Sequence, residues 1–141
     1  MFEEDMIIFG ISKEKAKAAR ILVADDDPDI LRLVSKILRQ NGHEVMTAND
    51  GLECIAKAED ELPDLILLDN AMPNMDGQEA LVKLKRLKKT EKIPVIMVTA
   101  FGDEQNLADA RRGGALQYIV KPFDCHVLIE KVAHVLKSKR K

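Results

Sequence analysis

From residue 20 onward the chain alternates between two hydrophobic rhythms. Short stretches that are apolar throughout are followed by longer ones whose apolar residues return every three or four positions. The first kind predicts strands buried on both faces, the second amphipathic helices. RILVA (20–24) opens the series as a strand. In the segment after it, Asp27 is placed to cap a helix and Pro28 to begin it. Ile30, Leu31, Val34, Ile37 and Leu38 form its apolar stripe, and Gly42 ends it. HEVMTA (43–48) predicts a second strand, and residues 50–61 a helix with Leu52, Ile55 and Ala56 inward. DLILL (64–68) predicts the third strand, and residues 77–89 a helix burying Ala80, Leu81, Leu84 and Leu87. PVIMVTA (94–100) is the fourth strand, and residues 103–114 a helix stopped by glycines. LQYIV (116–120) is the fifth strand. The last helix spans 123–139 with Ile129, Val132, Ala133 and Leu136 on one side.

Strict alternation of five strands and five helices implies a parallel sheet with helices on both faces, connected by right-handed crossovers. This unit is expected to occupy residues 20–139, leaving a basic end at 140–141. Residues 1–19 stand outside it as an extension, with SKEKAKAA (12–19) expected to be helical under a Ser12 cap.

A length of 141 residues suits one domain, and 46% hydrophobic composition supplies a core. The formal charge of −2 makes no electrostatic case for nucleic acid or membrane as a partner. The basic KSKRK (137–141) reads as a solvated tail. Cys54 and Cys125 are too few for a disulfide scaffold or zinc site, and His43, His126 and His134 share no metal-ligand spacing with them. No apolar run approaches the ~20 residues of a membrane span. The acidic start MFEEDMIIFGI does not read as a signal peptide, so a cytoplasmic location is expected.

In an open parallel sheet, ligands bind outside the carboxyl ends of the strands. The residues just after each strand therefore carry the chemistry. Asp25, Asp26 and Asp27 follow the first, Asp69 the third, Thr99 and Ala100 close the fourth, and Lys121 follows the fifth. With strand order 2-1-3-4-5 these ends converge on one crevice. Taken singly, an acidic triplet is most simply a helix cap, as Asp27 is, and a strand-end threonine is ordinary; their joint placement carries the functional reading. Two like charges ~4 Å apart repel by about 4 kcal/mol at an effective dielectric of 20. Clustered carboxylates thus call for a cation, and hard oxygen donors suit Mg²⁺, with Mn²⁺ chemically equivalent. A metal, the Lys121 ammonium and the Thr99 hydroxyl around one carboxylate form a phosphoryl-transfer site.

Four motifs, ILVADDDPDI, PDLILLDNAMPNMDG, PVIMVTA and GALQYIVKPF, occur in this order. With them the chain, from about Ile21 to Leu136, resembles the receiver domain of bacterial two-component response regulators. The resemblance implies a flavodoxin-like (βα)5 doubly wound parallel sheet of order 2-1-3-4-5. It implies that Asp69 is the phosphoacceptor, Asp26 the principal Mg²⁺ ligand and Asp25 a ligand acting mainly through water. Ala71 would lend its backbone carbonyl to the metal. Thr99 and Lys121 would meet the phosphoryl group, and Tyr118 would swing inward behind Thr99. A cis Lys121–Pro122 bond is expected, the small Ala100 would leave room for a donor, and Ala71 and Phe101 would tune water access. The implied partners are a sensor histidine kinase or phosphotransfer protein and an output protein. A homodimer through the fourth helix, fifth strand and fifth helix would use the same face.

Two other readings compete. A haloacid-dehalogenase-type phosphatase also uses an aspartyl nucleophile with Mg²⁺, but needs a second aspartate two residues on, where Ala71 stands. A degenerate receiver would serve only for docking, yet every key side chain is present. The expectation is a phosphorylation switch and not a conventional enzyme, either a stand-alone receiver or a fragment of a longer regulator.

Overall fold

The computed structural model describes residues 18–100 and 104–139. Five strands, β1 (Arg20–Ala24), β2 (Glu44–Ala48), β3 (Leu65–Asp69), β4 (Val95–Ala100) and β5 (Gln117–Lys121), alternate with five helices. The helices are α1 (Pro28–Gln40), α2 (Gly51–Glu61), α3 (Gly77–Arg86), α4 (Glu104–Gly113) and α5 (Cys125–Lys139). All strand pairings are parallel, in the order β2-β1-β3-β4-β5. The expected flavodoxin-like architecture is therefore the observed one. The expected helix over 12–19 and the tail at 140–141 lie outside the described residues, apart from Ala18 and Ala19. Among the described residues no helix is long and apolar enough to cross a membrane.

The central strands are buried on both faces, β3 along its whole length. Odd and even positions of each strand point to opposite faces, which divides the core in two. Ile21, Val23, Leu65, Leu67 and Ile96 meet α1 and α5 through Val34, Leu38, Leu128 and Val132. Leu22, Ile66, Leu68 and Met97 meet α2, α3 and α4 through Ala58, Leu81, Leu84 and Ala110. Aspartates start the first three helices: Asp27 accepts a hydrogen bond from the Asp29 N–H at 2.9 Å, Asp50 from Glu53 at 2.8 Å and Asp76 from Glu79 at 2.9 Å. Each satisfies a backbone donor that the helix leaves unpaired.

Two helix faces differ from the sequence expectation. In α2, Leu52 and Ala56 face solvent, Leu52 at 54% exposure, while Gly51, Cys54 and Ala58 turn inward. The cause is close packing at Gly51, where a Cβ would stand 2.5 Å from the Met75 carbonyl oxygen. That contact rotates the helix so that small residues meet the sheet. In α5 the buried set is Leu128, Val132, Val135 and Leu136, with Ile129 and Ala133 at its margin. Helix α3 also stops at Arg86. Thr90, beyond its end, is buried and donates its hydroxyl to the Leu84 carbonyl at 2.7 Å, folding the chain back into a turn.

Candidate functional site

The carboxyl ends of β1, β3 and β5 bring four of the expected residues together. Asp25, the first residue beyond β1, is 3% exposed, and Asp69, the last of β3, is 6% exposed. Asp26 beside them faces solvent. One carboxylate oxygen from each of Asp25, Asp26 and Asp69 lies within 4.8 Å of the others. Lys121 closes β5 and reaches across the pocket. Its Nζ donates to Asp25 Oδ2 at 3.0 Å and stands 3.2 Å from Asp69 Oδ1. The Lys121–Pro122 peptide bond is cis, as the resemblance implies. Thr99, on β4, is 2% exposed. Its Oγ1 has no hydrogen-bond partner among the described residues.

Local structure explains why these groups are held and not merely near. Asp25 Oδ1 accepts the N–H of Asp27 at 2.9 Å, turning its carboxylate back beneath the β1–α1 loop. Asp69 is in register with Val98, and Asn70 continues the ladder by donating its N–H to the Val98 carbonyl at 2.9 Å. Gly77 then returns the loop, its N–H bonded to the Asn70 carbonyl at 2.8 Å. A Cβ on Gly77 would lie 2.2 Å from the Asp69 backbone oxygen, so no larger residue fits there. The helix from residue 77 was legible in the sequence, but this contact of Gly77 with the acidic strand end was not.

Burial is the largest influence on Asp69. It raises the carboxyl pKa to about 6 from an ordinary 3.8, with the Asp25 charge adding to the rise and Lys121 opposing it. Repulsion from the neighbouring carboxylate is therefore second to desolvation. Burial also disfavours the Lys121 ammonium, but its bond to Asp25 and the Asp69 charge outweigh this and hold its pKa above the usual lysine value.

The remaining expected residues are more dispersed. Asp27 is exposed and serves α1 as its cap. Ala71 is exposed on the loop that leaves β3. Tyr118 is not in the pocket. It pairs in register with Met97 on β5 and is half-buried, on the same face of the sheet as Thr99. Its hydroxyl accepts a hydrogen bond from Arg111 Nη2 at 3.3 Å, and its ring lies 5.5 Å from the Arg111 guanidinium and 5.6 Å from the Lys131 ammonium. Phe101 lies outside the described residues.

Three hard carboxylates converging at one sheet edge fit a small divalent cation. The Lys121 ammonium, shared between Asp25 and Asp69, offsets part of their charge.

The description "Response regulator receiver domain" matches residues 21–133. Protein PilH of Pseudomonas aeruginosa is 36% identical over 118 residues, which is 84% of this chain and 98% of PilH. The DNA-binding dual master transcriptional regulator RpaA of Synechocystis is 41% identical over 118 residues, 84% of this chain and 49% of RpaA. The phosphate regulon transcriptional regulatory protein PhoB of Escherichia coli is 37% identical over 120 residues, 85% of this chain and 52% of PhoB. The chain thus spans about half the length of the two transcriptional regulators and nearly all of PilH. Among solved structures, a CheY-like receiver domain protein from Methanospirillum hungatei superposes with a TM-score of 0.82 at 35% identity, covering 88% of this chain and 98% of that one. Chemotaxis protein CheY4 of Vibrio cholerae superposes with a TM-score of 0.79 at 32% identity, covering 84% and 98%.

Proposed function

The chain belongs to the response regulator receiver domain family, and on that premise we propose that it is a signalling switch that accepts a phosphoryl group on Asp69. Receiver domains are signalling domains and not conventional enzymes, and they bind Mg²⁺ at an acidic pocket. In this chain Asp25, Asp26 and Asp69 would hold the ion, with the backbone carbonyl of Ala71. When bound, it would neutralise charge on the phosphoryl oxygens.

The Asp69 carboxylate attacks the phosphorus of a phosphohistidine carried by a sensor histidine kinase or phosphotransfer protein. An O–P bond forms, the N–P bond breaks, and the histidine nitrogen leaves with the electron pair. Lys121 and the free Thr99 hydroxyl meet the equatorial oxygens. Titrating near 6, Asp69 is mostly ionised at neutral pH and competent as a nucleophile. Lys121 loses part of its partnership with Asp69 on transfer and gains one with the new phosphoryl group.

The output follows from Thr99 and Tyr118 sharing one face of the sheet. Movement of Thr99 toward the phosphoryl group vacates space that Tyr118 can enter, releasing Arg111. Tyr118, Arg111, Leu116 and Lys131 line a recess of about 180 Å³ on the α4–β5–α5 side, and a protein partner or a second copy would sense the change there. A partner shifts the equilibrium only by its preference for one state. A cytoplasmic location belongs to the same reading.

The observation that carries the proposal is the meeting of Asp25, Asp26, Asp69 and Lys121 at one sheet edge. The test is incubation with a small-molecule phosphodonor and Mg²⁺, followed by intact mass and site mapping. One phosphoryl group on Asp69, absent in Asp69→Asn, is expected. A stable adduct on another residue, or none in the parent, overturns it.

A further inference from the structure

We propose that Asp50 and Asn74 form a clasp that positions the loop carrying Ala71, making the start of α2 a positioning element for the divalent-cation site; this rests on the reading of that site given above. Ala71 and Met72 make no hydrogen bond among the described residues. The Ala71 carbonyl is therefore positioned by the packing of Met72 against the α2–α3 core and by the two ends of its loop. One end is the β3 ladder with Gly77 closed against it. The other is attached to a different element altogether. Asn74 Nδ2 donates to Asp50 Oδ2 at 2.7 Å, and the Gly51 N–H donates to the Met75 carbonyl at 3.1 Å.

The residue types suit the task. Asn74 has φ 67°, a left-handed conformation that asparagine tolerates better than most side chains. Asp50 spends one oxygen on the Glu53 N–H as helix cap and offers the other to Asn74. An N–H donated to a carboxylate is stronger than a neutral pair. Met75, next along, is buried at 6% exposure and seats the loop in the α2–α3 core. Gly51 permits the approach, because a Cβ would collide with Met75. Neither Asp50 nor Asn74 is expected to touch the cation or a phosphoryl group.

The clasp is separable from the turn itself. Asn74→Gly keeps the left-handed backbone and the net charge but removes the amide. The paired swap Asp50→Asn with Asn74→Asp keeps the net charge and the α2 cap, and reverses donor and acceptor. The full-length chain is titrated with Mg²⁺ alone, and the dissociation constant is taken from the dependence of melting temperature on metal. Urea unfolding in chelator is measured alongside. The expected result is Mg²⁺ binding about fivefold weaker in Asn74→Gly, the loss of one hydrogen bond's worth of pre-organisation, and recovery to within about twofold in the swap. An Asn74→Gly variant that loses stability in chelator yet binds Mg²⁺ as tightly as the parent assigns the clasp a purely structural role and overturns the proposal. So does a swap that restores stability but not affinity. A parent that binds no Mg²⁺ fails in a different arm, and takes the site reading down with the clasp.

Discussion

Asparagine in place of Asp69 removes a carboxyl that burial makes hard to ionise. Its pKa of about 6 in the folded chain stands against an ordinary 3.8. The two values are roughly two pH units apart, and each unit is worth about 1.4 kcal/mol, so full ionisation destabilises the fold by about 3 kcal/mol. The sign is set by the direction of the shift. The folded state binds the proton more tightly than the unfolded one, so stability falls as pH rises from the unfolded value through the folded one. Below about pH 4 the penalty is absent, and above about pH 6 to 7 it is complete. Asparagine resembles the protonated form at every pH. In chelator near pH 8, Asp69→Asn should exceed the parent by about 2–3 kcal/mol, a shift of the urea midpoint of about 1–2 M. The advantage should shrink steadily toward pH 4 and vanish there. Urea unfolding followed by far-ultraviolet circular dichroism across this range is sufficient. A variant no more stable than its parent at pH 8, or one whose advantage does not change with pH, refutes the argument that burial holds the carboxyl pKa up.

Three further outcomes follow from the packing. Gly77→Ala should lower stability by about 3 kcal/mol or more, because its Cβ meets the Asp69 backbone oxygen at 2.2 Å; denaturant unfolding matching the parent would show that the loop relaxes freely. Cys54 is fully buried, with its thiol pushed up to about 12 by burial and by the nearby Asp50 and Glu53 charges, while Cys125 is exposed. A chromogenic thiol reagent should therefore count one cysteine in the native protein and both in denaturant. Leu52→Ser should change stability by less than about 0.5 kcal/mol, as surface substitutions do; a loss of several kcal/mol would return Leu52 to the core where its hydrophobicity first placed it.

How much of this was legible in the sequence depended on the kind of constraint. The strands of the sheet centre could be read directly, because burial on both faces leaves room only for apolar residues, and Leu65–Leu68 obey this without exception. Helix starts were readable where one side chain makes the cap, as at Asp27. The pocket was readable because topology alone delivers strand ends to a common edge. Helix orientation was less so. In α2 the deciding residue was Gly51, and a glycine adds nothing to a hydrophobic stripe while permitting the closest approach. In α5, where Val127, Leu128, Ile129, Val132, Ala133, Val135 and Leu136 surround much of the helix, the pattern fits more than one rotation. The leading role of desolvation at Asp69, and the tie between Asn74 and Asp50 across 24 residues of sequence, depend on tertiary placement that no local pattern encodes.

One consequence of Lys121 lying between Asp25 and Asp69 concerns the molecule as a whole. With all four groups ionised, the three acids and one base of the pocket sum to −2, the formal charge of the entire chain at neutral pH with histidines neutral. The charges outside the pocket therefore sum formally to zero. A single bound divalent ion would bring the molecule to formal neutrality, and electrophoretic mobility under native conditions would register that occupancy.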